Sequence, residues 1–239
     1  MLGRFLELSV HAGDIRASVE FLERLGFSHC VTNDIWSHPY GVLTDGRITF
    51  GLHQYAFASP SLTFVREQLA QQLARIEAAG ARLEFRRTGE DVFNEVGFRD
   101  PTGHMVTLLE ARTYSPADRS RDETSLCGDF IEYSLPARDF AAARRTWEAF
   151  GFVALEDDGG EAAYRRLSLT SDHLDLALHD PRFFPRPLLV FAGSDPAARR
   201  ARLAALGVVF DDSPPAGLDP ATDALFESPD GLAILLRAG

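Results

Sequence analysis

Two glutamates stand at equivalent places inside apolar, strand-like segments of this chain. The segments read FLELSVHAGD and FIEYSLPARD, and they contain Glu7 and Glu132. Two histidines, His53 in ITFGLHQ and His179 in LDLALHD, lie at the ends of later segments that also correspond to each other. A carboxylate beside an imidazole fixes the tautomer of the ring and makes it a general base or a hydrogen-bond anchor. These four residues are therefore the candidate catalytic groups.

Side-chain alternation separates the two faces of the segment around Glu7. One face carries three apolar residues that we expect to pack against a helix. They are Leu6, Leu8 and Val10. Glu7 and Ser9 share the opposite face, and the same parity places Ser134 beside Glu132 in the second segment.

The correspondence between the two segments extends through most of the chain. Glu7 and Glu132 are 125 residues apart, and the motif pairs GLHQ and ALHD, and RDPTGHMVTLL and ESPDGLAILLR, follow at nearly the same spacing. A period this long indicates two copies of one domain. We predict a first domain over 1–112, a polar linker over 113–127 and a second domain over 128–239.

Each copy shows the pattern of a strand, a helix and three strands, written twice. Asp14 is placed to cap the first helix and Gly26 is placed to end it. The tetrapeptide TDGR over 44–47 is typical of a hairpin turn. The chain is therefore predicted to hold four βαβββ modules in an α+β fold.

The motifs after the first strand and before the last strand of each copy carry a family resemblance. DIRASVEFLERLGF and DPTGHMVTLLE, with DFAAARRTWEAFGF and SPDGLAILL in the second copy, resemble the vicinal oxygen chelate superfamily. This group contains the glyoxalase I, bleomycin-resistance, fosfomycin-resistance and extradiol dioxygenase proteins. The resemblance implies tandem glyoxalase-like domains whose modules curl mixed sheets into cups, with helices outside and ligands inside. One such scaffold hosts several reactions and pure binding.

The resemblance also implies metal ligands on the first and last strands of each module, and Glu7 and Glu132 match the first-strand position. The other ligand positions fall mostly on residues with no side-chain donor for a cation. They include Gly51, Pro60 or Ser61, Thr107, Ala177, Arg186 or Pro187, and Leu235. A catalytic divalent ion needs three or more protein ligands. No cofactor is therefore expected; a divalent metal, if one binds, would use Glu7 and His53.

In such a module the first and fourth strands are neighbours, so Glu7 is expected within reach of His53, and Glu132 within reach of His179. Gly51 and Ala177 are expected to leave space between the members of each pair, which suits a ligand or an ordered water. Three interpretations of these residues stay open. They are satisfied structural residues, ligand-binding residues, or metal ligands in a new geometry.

Further candidates for ligand contact are polar or aromatic residues. They are Ser9, Trp36, His38, Tyr40, Thr107 and Ser134. Aromatic side chains with a polar tip are common in small-molecule pockets, although Trp36 and Tyr40 fit packing at an interface equally well. Because Trp36, His38 and Tyr40 belong to the first copy, the working pocket is expected there. His104, which follows the DPTG turn, is expected at the surface.

Composition and charge exclude several classes of protein. The net charge is -11 and no block of Lys and Arg forms a phosphate-binding stripe, so nucleic acid is not expected as a partner. No apolar run approaches the roughly 20 residues that span a membrane. Two cysteines and the lack of a signal-peptide pattern favour the cytoplasm.

We therefore expect a glyoxalase- or bleomycin-resistance-like protein that binds a small organic ligand in a cup, without the usual metal site. The alternative is a divalent-metal-dependent lyase, isomerase or ring-cleaving dioxygenase of the same superfamily. A third possibility is a domain pair that only mediates assembly. The two domains are expected to pack as single-domain relatives do in their dimers, in a pseudo-dimeric monomer or in a homodimer.

Overall fold

The computed structural model describes residues 2–30, 37–111, 125–155 and 164–239, and the fold is of the predicted α+β class. Within these ranges the chain forms two mixed sheets, of eight and seven strands, and four helices of ten residues each. None of these helices has the length and apolar character needed to cross a membrane.

The first sheet and its two helices lie before residue 111. Their elements are β1 (Arg4–His11), α1 (Ile15–Arg24), β2 (Ser28–His29), β3 (Tyr40–Thr44), β4 (Thr49–His53), β5 (Ser61–Arg66), α2 (Leu69–Ala78), β6 (Arg82–Arg87), β7 (Glu95–Arg99) and β8 (Met105–Glu110). The second sheet and its helices follow. Their elements are β9 (Asp129–Pro136), α3 (Phe140–Ala149), β10 (Val153–Ala154), β11 (Arg166–Thr170), β12 (Asp175–His179), β13 (Leu188–Gly193), α4 (Pro196–Ala205), β14 (Ala224–Glu227) and β15 (Ala233–Ala238). In the described part of the fourth module two strands form where three were predicted, and Phe210 pairs with Phe226 in an isolated bridge.

Strand β1 lies in the middle of the first sheet, and β9 has the corresponding place in the second. The strand orders are β2-β3-β4-β1-β5-β8-β7-β6 and β10-β11-β12-β9-β13-β15-β14. β1 runs parallel to β4 with Ser9 opposite Gly51, and β9 runs parallel to β12 with Ser134 opposite Ala177. The predicted proximity of the first and fourth strands is confirmed, and the two copies share one register.

The first helix of each copy begins at an aspartate cap, which the sequence predicts at Asp14. The side chain of Asp14 accepts a hydrogen bond from the backbone N–H of Ala17 at 3.1 Å, and Asp139 accepts one from Ala142 at 2.9 Å. Each cap satisfies one of the backbone donors that a helix start leaves unpaired. Gly26 follows the end of α1 with φ +89°, which glycine adopts without strain.

An irregularity in β1 changes which apolar residues face the helices. The pairing of β1 with β5 shifts register between Phe5 and Glu7. Phe5, which is 2% exposed, therefore lies in the core with Leu8 and Val10, whereas Leu6 is only half-buried and lies outside that core. The prediction that Leu6 faces the helices was wrong, because a β-bulge adds one residue and reverses the alternation at that point.

The two domains share one hydrophobic core, and the first helix of each domain packs on the other domain. The ring of Phe21 on α1 lies 6.5 Å from that of Phe226 on β14. Phe150, at the end of α3, lies 5.3 Å from Phe98 on β7. Reciprocal contacts of this kind are what a pseudo-dimeric domain pair requires.

One corner of the domain interface is polar. Trp147 Nε1 donates to Asp100 Oδ2 at 2.9 Å across the interface, and the ring of His104 lies 5.3 Å from that of Tyr133. The residue equivalent to His104 in the second copy is the apolar Leu232. His104 is 7% exposed, so the expectation that it lies at the surface was wrong. The other domain covers the turn that precedes it, and no pattern within one domain indicates this.

We predict that His104 makes the protein less stable in acid. Burial, with Arg99 adding to it, lowers the pKa of His104 from its ordinary 6.5 to about 3. Below about pH 6 the unfolded chain therefore binds a proton that the folded protein does not bind, and the free energy of unfolding falls as the pH falls. In His104→Leu the slope between about pH 6 and 4 decreases by up to about 1.4 kcal/mol per pH unit. Urea unfolding of both proteins at several pH values measures the difference.

Other buried titratable groups are common to both proteins and cancel in the comparison. Burial lowers the pKa of His179 to about 4 and raises the pKa of Asp100, and both residues are present in the variant. Equal slopes for the wild-type protein and His104→Leu would contradict the prediction.

Candidate functional site

Glu7 is buried in the middle of the first sheet and accepts three hydrogen bonds. Its side chain is 1% exposed. Ser9 Oγ donates to Oε1 at 2.8 Å, Tyr40 OH donates to Oε2 at 2.6 Å, and His53 Nε2 lies 3.0 Å from Oε1. Donors from β1, β3 and β4 thus replace the water that the carboxylate loses on burial. The structure brings Glu7 and His53 together, as the sequence predicts.

A second histidine extends this pair. His38 Nε2 lies 2.9 Å from His53 Nδ1. Because the carboxylate of Glu7 only accepts hydrogen bonds, a neutral His53 holds its proton on Nε2, and its Nδ1 then accepts a hydrogen bond from His38. The pKa of His38 is lowered, first by burial and then by the neighbouring His53, so the neutral ring is favoured. In this arrangement a neutral His38 carries its proton on Nε2 and none on Nδ1.

Two aromatic rings in the loop after β4 lie against the histidines. Tyr55 and Phe57 stack with their centroids 5.0 Å apart, and we call this pair the aromatic wall. The ring of Tyr55 lies 4.3 Å from that of His38, and Phe57 lies 5.7 Å from His53. The wall offers a flat apolar surface beside polar ring nitrogens, which is the chemistry of a pocket for an aromatic ligand.

The residues Glu7, His53 and His38 form a hydrogen-bonded chain. A small hollow lies between this chain and β8. Its lining residues are Glu7, Ser9, His53, Tyr55, Phe57, Thr63, Glu95, Thr107 and Leu109. Hydroxyl pairs border it, with Ser9 Oγ 2.7 Å from Thr63 Oγ1 and Ser61 Oγ 2.8 Å from Thr107 Oγ1. Its cavity volume of about 20 Å³ is room for one water molecule. An organic ligand therefore needs the aromatic wall to move.

Gly51 does not leave the open space that the sequence predicts. A Cβ atom added at Gly51 would lie 2.0 Å from Cδ of Glu7. The carboxylate itself occupies this position, where it reaches His53. The expectation of room for a ligand or a water beside Gly51 was wrong, because the buried carboxylate folds back over the neighbouring strand.

The second cup carries the same pair of residue types in a different arrangement. Glu132 forms a bidentate ion pair with Arg166, whose Nε donates to Oε1 at 2.8 Å. His179 Nδ1 lies 2.8 Å from Ser134 Oγ, and its Nε2 lies 2.9 Å from the carbonyl oxygen of Phe184. The expectation that Glu132 reaches His179 was therefore wrong, because each side chain bonds to another partner.

Apolar side chains fill the rest of the second cup. They form a separate buried cluster of Phe184, Leu188, Val190, Leu225, Ala233 and Leu235. In the sequence repeat, three of these positions correspond to the hydroxyl residues Ser61, Thr63 and Thr107 of the first cup. The polar lining therefore belongs to the first domain, which is the candidate site.

The donor set in the described ranges does not fit a metal ion. No group of three or more His, Cys, Asp or Glu side chains there could hold one. His53 turns one nitrogen to Glu7 and the other to His38, so the three side chains do not converge on one point. Glu7 and His53 alone fall short of the three ligands that a catalytic divalent ion needs.

Sequence reasoning missed several residues that the structure places at the two cups. Those with the most direct contacts to the candidate residues are Tyr55, Phe57, Thr63 and Arg166. One local signal was available, because Thr63 is a polar residue inside the apolar segment SLTFV. Contacts from a loop or from a neighbouring strand leave no such local pattern. Trp36 lies outside the described residues.

Comparison with solved structures finds the same architecture in ring-cleaving dioxygenases. Homoprotocatechuate 2,3-dioxygenase from Brevibacterium fuscum has a TM-score of 0.64 at 17% identity, over 99% of this chain and 71% of that chain. A catechol 2,3-dioxygenase has a TM-score of 0.59 at 13% identity, over 99% of this chain and 87% of that chain. A 2,3-dioxygenase from Pseudomonas sp. KL28 has a TM-score of 0.61 at 14% identity, over 99% and 92%. No protein-family model matches the sequence, and no curated protein matches it.

These likenesses establish the architecture. The two sheets and four helices of the described residues have the tandem vicinal oxygen chelate fold that the sequence predicts. At this level of identity a shared fold does not carry over an activity or a metal, because function depends on the residues of the site.

We predict that removing one donor from Glu7 destabilises the protein. Tyr40→Phe takes away the hydroxyl that bonds to Oε2 and keeps the ring. A hydrogen bond to a charged group is worth about 1.5–3 kcal/mol, so the free energy of unfolding is expected to fall by about 2 kcal/mol, as measured in urea. Tyr55→Phe removes the same hydroxyl from an exposed ring and is expected to change stability by less than about 0.5 kcal/mol. Losses of equal size in the two variants would be evidence against this account.

Proposed function

We propose that this chain binds a small organic ligand in the cup of its first domain, without the metal site usual for this fold. The observation that supports the proposal is the hydrogen-bonded chain Glu7–His53–His38, which runs from a buried carboxylate to the aromatic wall. In the second cup the equivalent glutamate and histidine are paired elsewhere, and apolar side chains fill the remaining space. We therefore assign the working site to the first domain.

The aromatic wall and His38 suggest the class of ligand. A flat aromatic ring can stack on Tyr55 or Phe57, and a hydroxyl group on that ring can form a hydrogen bond with the ring of His38. Ligand entry requires Tyr55 to swing outward, since the cavity holds about one water. Tyr55 is 42% exposed, which leaves room for this movement.

In this proposal Glu7 positions His53 and His38, and it favours proton acceptance by His38. The carboxylate keeps the proton of His53 on Nε2, so Nδ1 of His53 accepts from His38. When His38 takes a proton from a ligand hydroxyl, the new positive charge lies at one end of a chain whose other end is negative. The chain thus serves as a hydrogen-bond anchor or as a general base.

Titration calorimetry with catechol tests the proposed site. We expect chelator-treated wild-type protein to bind catechol, and Glu7→Gln to bind it at least about tenfold more weakly, because a neutral amide cannot replace a charged acceptor. Glu132→Gln makes the same change in the second cup and is the matched control, with unchanged affinity expected. The proposal fails if wild-type protein does not bind, if both variants lose affinity equally, or if binding requires an added divalent metal.

A second candidate is a divalent-metal-dependent lyase, isomerase or ring-cleaving dioxygenase in which Glu7 and His53 hold the ion. The fold shared with catechol and homoprotocatechuate 2,3-dioxygenases favours this candidate. The donor set weighs against it, because the described residues contain no group of three potential ligands.

Elemental analysis separates the two candidates. We expect protein purified without chelator to hold much less than one equivalent of Mn, Fe, Ni or Zn, since two protein donors bind such ions weakly. Near-stoichiometric metal that disappears in Glu7→Ala, and persists in Glu132→Ala, would instead support the enzyme.

A further inference from the structure

We infer that Gly51 is the positioning residue of the first cup, and that the missing side chain there is what allows Glu7 to bond to His53. Its importance for ligand binding rests on the proposed function. Gly51 lies in the middle of β4, is buried, and pairs with Ser9 on β1. Gly51 has no side chain that could contact a ligand, so it acts through the carboxylate of Glu7.

The carboxylate of Glu7 lies directly against the backbone of Gly51. A Cβ atom at this position would be 2.0 Å from Cδ and 2.1 Å from each carboxylate oxygen of Glu7. Carbon atoms in favourable contact are about 3.5–4.0 Å apart, so a methyl group and the carboxylate exclude each other. The carboxylate ends a side chain with rotatable bonds, so it moves in preference to the backbone, and its hydrogen bond to His53 breaks.

The backbone at position 51 does not itself require glycine. Gly51 lies in a regular strand and is not among the glycines with positive φ. Alanine adopts the dihedral angles of a strand without strain. The predicted effect of a methyl group at Gly51 therefore comes from its contact with Glu7.

The second domain carries a methyl group at the corresponding place. Ala177 lies opposite Ser134 in β9, as Gly51 lies opposite Ser9 in β1. Ala177 is fully buried, so its methyl group occupies interior space. The space beside Gly51 is filled by the carboxylate of Glu7, whereas the equivalent space in the second cup is filled by the methyl group of Ala177.

The glutamate of the second cup has a different partner, which is consistent with this difference. Glu132 bonds to Arg166 and not to His179. Arg166 corresponds in the repeat to Tyr40, which donates to Glu7 in the first cup. Alanine at one position and a cation at the other therefore accompany the separation of glutamate and histidine.

Gly51→Ala alone isolates the effect of the methyl group, because Tyr40 is kept. In wild-type protein the N–H on Nε2 of His53 is buried and bonded to Glu7, so we expect a slowly exchanging, low-field proton signal in nitrogen-15-labelled protein. We expect Gly51→Ala to lose this signal and to bind catechol at least about tenfold more weakly. Persistence of the signal in Gly51→Ala would overturn the positioning role.

A double-variant cycle separates this contact from general damage. In Glu7→Ala the carboxylate is gone, so adding Gly51→Ala is expected to cause no further loss of stability or of ligand affinity. Ala177→Gly makes the reverse exchange in the second cup and is expected to leave the His53 signal unchanged. If Gly51→Ala does not fold, Glu7→Ala is expected to restore folding. A double variant that stays unfolded, while Glu7→Ala alone folds, would refute the inference.

The histidine signal and the ligand titration distinguish two kinds of failure. If Gly51→Ala loses the His53 signal but wild-type protein does not bind catechol, the positioning role stands and the proposed function fails. If wild-type protein binds catechol and the signal persists in Gly51→Ala, ligand binding stands and the positioning role is overturned.

Discussion

A carboxylate buried inside a sheet must replace the water that it has lost, and the first domain is arranged around this requirement. Glu7 meets it with a hydroxyl from its own strand, a phenol from β3 and an imidazole from β4. Removal of any one donor would leave a buried acceptor unsatisfied, which costs more than an average hydrogen bond contributes. The strand order around β1 brings these donors together, and the glycine opposite Ser9 leaves the space that the carboxylate occupies.

The two domains satisfy their buried glutamates in different ways. Glu132 is satisfied by a single guanidinium, which supplies two donors and a full opposite charge. The hydroxyl positions around it are then free to become apolar, and they form a packed cluster. In its described residues the second domain therefore has an additional apolar cluster in place of a polar cup. Phe150 at the end of its α3 and Phe226 on its β14 pack against the first domain.

Local patterns predicted the elements well and failed where distant contacts intervened. The capping roles of Asp14 and Asp139 involve donors three residues away, so the sequence contains all that is needed to recognise them. The predicted orientation of Leu6 was wrong, because the β-bulge beside it depends on pairing with the partner strand β5. The burial of His104 was missed because the covering surface belongs to the other domain.

The sequence by itself determined the repeat, the α+β modules and the shared face of Glu7 and Ser9, because periodicity and capping act between residues close along the chain. Tertiary structure alone decided which partner each glutamate took. Tyr40 and Arg166 lie on a different strand from the glutamates that they contact. Gly51 lies on the strand next to Glu7, within a few ångströms of its carboxylate, and Ala177 is the equivalent residue beside Glu132. Contacts of this kind depend on the register between strands that are tens of residues apart in the sequence. Local sequence patterns therefore cannot predict them.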